Sequence, residues 1–200
     1  MLHTIGHSVH NIEAFLSLLK LHKMDTIIDV RTNPFSKVTP QFNRNALLPF
    51  LKQNNIMYSH FPEEFGARRL DKSLLDEEGR VDFEKIRQTE NFKDGIKKVK
   101  SGLEKGRVIA LLCAEADPFD CHRFAMISYQ FVKDGIEVHH ILKDGACLTN
   151  QALEAMLLKK YAKKLPQGTL FEPEPTDREK LDYAYRLRNR DIAYTASEAN

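Results

Sequence analysis

Seven ionisable or thiol side chains fall inside eleven consecutive positions of this chain: Cys113, Glu115, Asp117, Asp120, Cys121, His122 and Arg123. A connector that only turned the chain would need none of them. Glu115 is suited to act as a general base or nucleophile, and His122 as an acid. Cys121 lies beside His122 and Arg123, a setting that favours a thiolate. The spacing C-x7-C-H-R is not the Cys-x5-Arg loop of cysteine phosphatases, and no Cys-x-x-C pair is present. Cys113, Cys121, His122 and a carboxylate match zinc in ligand type, although their spacing follows no common zinc pattern. No metal or cofactor is required by these residues. Earlier in the chain, His7 with Ser8, Asp29 with Arg31, His60 with Glu64, and Arg68 with Arg69 add further candidates. Asp29 joins Glu115 as a candidate base, and His7 joins His122 as a candidate acid. The arginines are fork-shaped donors suited to phosphate or carboxylate. Each group also has a plainer role. Asp29 and Arg31 can pair with each other, His7 and Ser8 can cap a helix, and Cys113 alone is an ordinary small buried residue.

These groups act together only if the fold gathers them. Residues 108–112 are a short apolar run, as in a strand buried on both faces. Phe124, Ile127, Tyr129, Phe131 and Val132 follow with a roughly helical period, and Asp120 is placed to cap that helix. Further strands are expected at residues 2–5, 26–30, 56–61 and 137–142. A helical stripe from Ile12 to Leu19 has Ser8 or Asn11 as its cap. Residues 43–54 read as a helix that starts late or kinks at Pro49, and residues 70–82 as an exposed charged excursion. A helix over 82–105 breaks near Asn91 and stops at Gly106; another covers 149–164. Strands alternating with helices indicate an α/β fold, a mostly parallel sheet flanked by helices in three Rossmann-like layers. Parallel strands finish on one edge, so His7, Asp29, Glu64 and Cys113 should converge there, where open α/β sheets bind ligands.

After residue 165 the composition changes. Pro166, Pro173 and Pro175 predict an extended segment, and Thr176-Asp177-Arg178-Glu179 fits a capping box opening a short helix. The chain therefore divides into an α/β domain over 1–165 and a packed helical tail over 166–200. With 42% apolar and 29% charged residues it reads as soluble and globular. A net charge of +2, spread as +4 over the body and −2 over the tail, is too small to imply nucleic acid by itself. Three cysteines make no disulfide framework and point to a reducing compartment. Neither a signal peptide nor a membrane-length apolar run is visible, so the expected location is cytoplasmic.

Five motifs resemble those of the domain of unknown function (DUF) 488 family: T-I-G-H-S at 4–8, D-V-R-T-N-P-F-S at 29–36, F-N at 42–43, F-P-E-E-F-G-A-R-R at 61–69 and L-L-C-A-E-A-D-P-F-D-C-H-R at 111–123. The family's usual Leu-Gly in the fourth of these is Phe65-Gly66 here. The resemblance covers residues 1 to about 150 and implies an α/β fold with a shared site. It assigns no reaction.

The residues themselves suggest one. A helix start offers free amides and partial positive charge. With Arg123, Arg31, Arg68, Arg69, Ser8 and Glu64 around it, the expected ligand is anionic: a phosphorylated small molecule, nucleotide or nucleic acid. With Asp29, Glu115, Cys113, Cys121, His122 and His7 as catalytic candidates, the leading reading is a hydrolase or transferase. The alternatives are a non-catalytic nucleotide or nucleic-acid binding module, and a cysteine-based or zinc-dependent enzyme using Cys113 and Cys121. The peptide from Gln167 to Phe171 is similar to the Q-x-x-L-F motif that docks bacterial proteins on the replication sliding clamp. It equally suits a tail pinned to its own domain.

Overall fold

The computed structural model describes residues 1–169 and 173–195. Leu170 and Phe171, the apolar anchors of the clamp-like peptide, lie outside them. Six strands form one sheet in the order β3-β2-β4-β1-β5-β6. They are β1 (Leu2–Gly6), β2 (Thr26–Asp29), β3 (Met57–His60), β4 (Ile109–Cys113), β5 (Val138–Ile141) and β6 (Cys147–Thr149). The first five are parallel neighbours, and β6 pairs antiparallel with β5. β6 was not foreseen. It is three residues long with a half-exposed pattern, too short for periodicity to show.

Helices cover both faces. α1 (Ile12–Leu21) and α2 (Arg44–Gln53) send Phe15, Leu19, Leu47 and Leu51 against Ile5, Ile27, Ala110, Leu112 and Ile141. The opposite face, with Ile28, Ile109, Leu111, Cys113 and Val138, meets α3 (Pro62–Phe65), α4 (Phe83–Gln88), α5 (Glu90–Glu104), α6 (Tyr129–Lys133), α7 (Asn150–Tyr161) and α8 (Asp177–Ile192). The chain leaves β1 and β2 toward the first face and leaves β4, which lies between them, toward the second. Diverging connections open a crevice above the strand ends.

Local signals explain most boundaries. Asn11 caps α1 by accepting from the Ala14 amide. α2 continues through exposed Pro49 without breaking. The break in the 82–105 stretch falls at Thr89, which caps α5 by accepting from Phe92, and Gly106 ends that helix at φ +77°. The predicted capping box forms between Thr176 and Glu179. The helix it opens is not short: α8 has 16 residues and buries Ala184, Tyr185 and Arg188. Residues 123–128 wind as a π-helix that runs into α6, and this accounts for the loose spacing of its apolar residues. Asp120 does not cap it. His122 holds that position, and Asp120 instead pairs with Arg188.

Candidate active site

Backbone pairing continues past the ends of β1 and β4. The His7 amide donates to the Cys113 carbonyl and the Ser8 amide to that of Ala114, each at 2.9 Å. Above them the loop after β4 folds back over Gly6. A Cβ at Gly6 would lie 1.8 Å from the Glu115 carbonyl oxygen, so this approach needs glycine. Arg123 fixes the same turn. Its side chain is fully buried, with Nη1 donating to the Glu115 carbonyl at 2.7 Å and Nη2 to that of Ala116 at 3.0 Å. The fork that suited an external anion is spent on the protein's own backbone.

The turn gathers four reactive groups. Glu115 Oε2 lies 2.6 Å from Cys113 Sγ and 3.2 Å from Cys121 Sγ. His122 Nδ1 lies 3.8 Å from the first sulfur and 3.7 Å from the second. The Arg123 amide, at the start of the π-helix, donates to Cys121 Sγ at 3.5 Å. The anion that this helix start favours is therefore Cys121 itself. Burial pushes the Cys121 thiol up, but the Cys113 hydrogen bond with the Arg123 and His122 charges brings it well below the ordinary thiol range. Burial and the neighbouring Cys121 push Cys113 well above that range. Burial lowers His122, and the Cys121 thiolate and Glu115 more than reverse this.

The two other strand ends are tied internally. Asp29 is wholly buried and accepts from Arg31 Nε at 2.9 Å, Arg31 Nη2 at 2.5 Å and the Tyr58 hydroxyl at 2.8 Å. A carboxylate so fully engaged is no free base. Arg31 also reaches the Phe42 carbonyl and His7 Nε2. His7 donates from Nδ1 to the Ser8 carbonyl at 2.8 Å and stacks on Phe42. Burial, helped by Arg31, brings it down to about 4, so at neutral pH it has no spare proton to give. His60 donates to the Arg31 carbonyl at 2.8 Å.

Over these groups lies a polar cavity of about 830 Å³. His7, Ser8 and Arg31 line one side, the Cys113–Glu115–Cys121–His122 cluster the floor, and Arg68 the rim. Arg68 is exposed, with its guanidinium 5.4 Å from the Tyr194 ring centroid. Glu64 and Arg69 stay outside: Glu64 pairs with Lys98 at 2.8 Å and Arg69 with Glu63 at 3.3 Å. Sequence reasoning missed Tyr58, an ordinary strand residue by pattern, and Asp191 and Tyr194, which line the cavity from the chain's far end. The Val81 amide donates to the Tyr194 carbonyl, and no periodicity in the tail announces that return.

No curated protein and no solved structure matches the chain. A family model described as "Domain of unknown function DUF488" matches residues 11–130, from the first helix through the reactive cluster and into α6. More than half of the chain is matched, and the protein belongs to the DUF488 family.

Proposed function

We propose that the protein is a hydrolase or transferase acting on a phosphate-containing substrate, a nucleotide or nucleic acid, in the cleft above β1, β2 and β4. The observation that carries this is the convergence of Glu115, Cys113, Cys121 and His122 on the floor of a polar, nucleotide-sized cavity. Glu115 is exposed to that cavity while its backbone is pinned by Arg123, a fixed placement suited to a general base. Arg68 is the exposed cation at the rim and serves the anionic group of the substrate. Glu115→Gln should lower kcat on a panel of nucleotides and phosphodiesters at least about 100-fold, with the dissociation constant retained. Arg68→Ala should act chiefly on KM, by about tenfold. Binding without turnover in the wild type sinks the enzyme reading and leaves a nucleotide-binding module.

One observation favours a second reading. The Arg123 amide and the Cys113 thiol both face Cys121 Sγ, which is how a protein prepares a thiolate nucleophile. Stoichiometric loss of turnover on alkylation at Cys121, with Glu115→Gln still active, selects this reading over the first.

A further inference from the structure

We infer that Cys113, Cys121 and His122 together hold one zinc ion on the floor of the cleft, with Glu115 beside its open position. This rests on the cleft being the reacting site, but on no particular reaction there.

Geometry comes first. Among the described residues, Cys113, Glu115, Cys121 and His122 offer ligand atoms that all lie within 4.8 Å of one another. Zinc bonds of about 2.3 Å to sulfur and about 2.0 Å to nitrogen give a tetrahedral S···N edge of about 3.5 Å. The two such edges are 3.8 Å and 3.7 Å, so the imidazole need hardly move relative to either sulfur. The imidazole is also set for a metal. His122 Nε2 lies 3.3 Å from the Val30 carbonyl, which can only accept, so Nε2 keeps its proton and Nδ1 faces the sulfurs, presenting a lone pair once its own proton is displaced. A ligating histidine is normally fixed by such a carbonyl behind it.

Charge points the same way. Without an ion, Glu115 Oε2 is held by hydrogen bonds from the two buried sulfurs, at 2.6 Å and 3.2 Å. Once both sulfurs are thiolates beside that carboxylate, a cation among them is what offsets the like charges. On binding, the ion takes the place of the Cys113 thiol proton and of the proton shared by Cys121 and His122, both of which leave to solvent. Thiolate and imidazole ligands select zinc over magnesium or calcium. The Arg123 amide on Cys121 Sγ supports that thiolate from behind. The spacing that matched no zinc pattern has a simple origin: one sulfur comes from a strand end and the next two ligands from a helix start, rather than from a knuckle. Three protein ligands on an open cavity leave a fourth position facing substrate, as catalytic zinc sites do. Glu115 Oε2 stands next to it.

The test uses the full, reduced chain. After incubation with Zn²⁺ and removal of excess, elemental analysis should find about one zinc per chain. Co²⁺ in its place should give the visible bands of a tetrahedral site and thiolate-to-cobalt charge transfer in the near ultraviolet. Cys121→Ser and His122→Ala should each cut metal retention at least about tenfold, while Glu115→Ala and Arg68→Ala keep it. A wild type that retains no zinc and shows no charge transfer with Co²⁺ overturns the site, whatever the variants do. Zinc retained equally by Cys121→Ser and His122→Ala overturns it as well, because the ion is then elsewhere. Loss of metal in Glu115→Ala overturns the open position and makes the site a closed four-ligand one. Zinc bound without any turnover defeats the proposed reaction and leaves this inference standing. Turnover in a wild type that retains no zinc does the reverse.

Discussion

Gly6 carries a disproportionate share of the site. The Glu115 carbonyl occupies the space a side chain there would take, and Arg123 holds that same carbonyl from the other side. Gly6→Ala must push back a loop that is pinned rather than free, so the usual overpacking cost of about 1–3 kcal/mol is a lower bound here. The expected result is a melting temperature lower by at least about 2–4 °C, with Cys113 and Cys121 reacting faster with a thiol reagent as the loop lifts. A melting temperature within about 1 °C of wild type would falsify this. The arginines show where residue identity stops being informative. Arg31, Arg68 and Arg123 are equivalent as letters, yet Arg31 is bound to Asp29, Arg123 is fully buried against two carbonyls, and Arg68 alone is exposed at the cleft rim. Which way a guanidinium turns is decided by carbonyls on other segments, and a linear reading does not contain them.

Between elements, the tie that matters most is the one from α8 to the loop bearing the cluster. Arg188, almost wholly buried, donates from Nε to the Phe119 carbonyl at 3.0 Å, pairs with Asp120 and lies over the Phe119 ring. Removing it leaves a buried carbonyl and a carboxylate unpaired next to Cys121. Arg188→Ala is expected to cost about 1–3 kcal/mol, a fall of about 2–12 °C in melting temperature, and to weaken ligand or metal retention at the cleft while far-UV circular dichroism stays unchanged. An unchanged melting temperature would make α8 an appendage. The strands and most helices were legible because their signals are local: buried apolar runs for β2 and β4, caps at Asn11 and Thr176, a stop at Gly106. The helix after Cys121 was legible as a helix but not as a π-turn, since residues 123–129 are buried all round and no polar face marks the period. The length of α8 was underestimated for the same reason in reverse: mostly polar positions hide a stripe made by Tyr185 and Ala184.

The convergence of the β1, β2 and β4 ends follows from topology alone, because parallel strands share an edge, and it is the most secure inference the sequence supports; Glu64, after β3, stays outside the cleft. The sheet also buries histidines that no motif required, and these set how the whole molecule responds to acid. His140 is fully buried between the Thr4 hydroxyl, which donates to Nδ1 at 2.8 Å, and Asn150 Oδ1, 3.2 Å from Nε2. Burial first, then Arg123 and His139, brings it to about 3. His3, packed against His139 and His22, is brought to about 4, by burial and then by those two rings and the amino terminus, with Glu137 opposing. In both the folded value lies below the unfolded value of about 6.5. The fold thus holds them neutral while the unfolded chain takes up protons. The stability they allow is complete above about pH 6.5 and falls as pH drops toward the folded values, by up to about 1.4 kcal/mol per unit for each histidine. From pH 7 to pH 5 the pair should cost about 4 kcal/mol, against a typical total of about 5–15 kcal/mol. Thermal unfolding at both pH values reads this directly. The double variant His3→Gln/His140→Gln should lose about 4 kcal/mol less on acidification than wild type, even if it is less stable at pH 7. Equal acid sensitivity in the two proteins would move the cause from these buried rings to the carboxylate pairs on the surface.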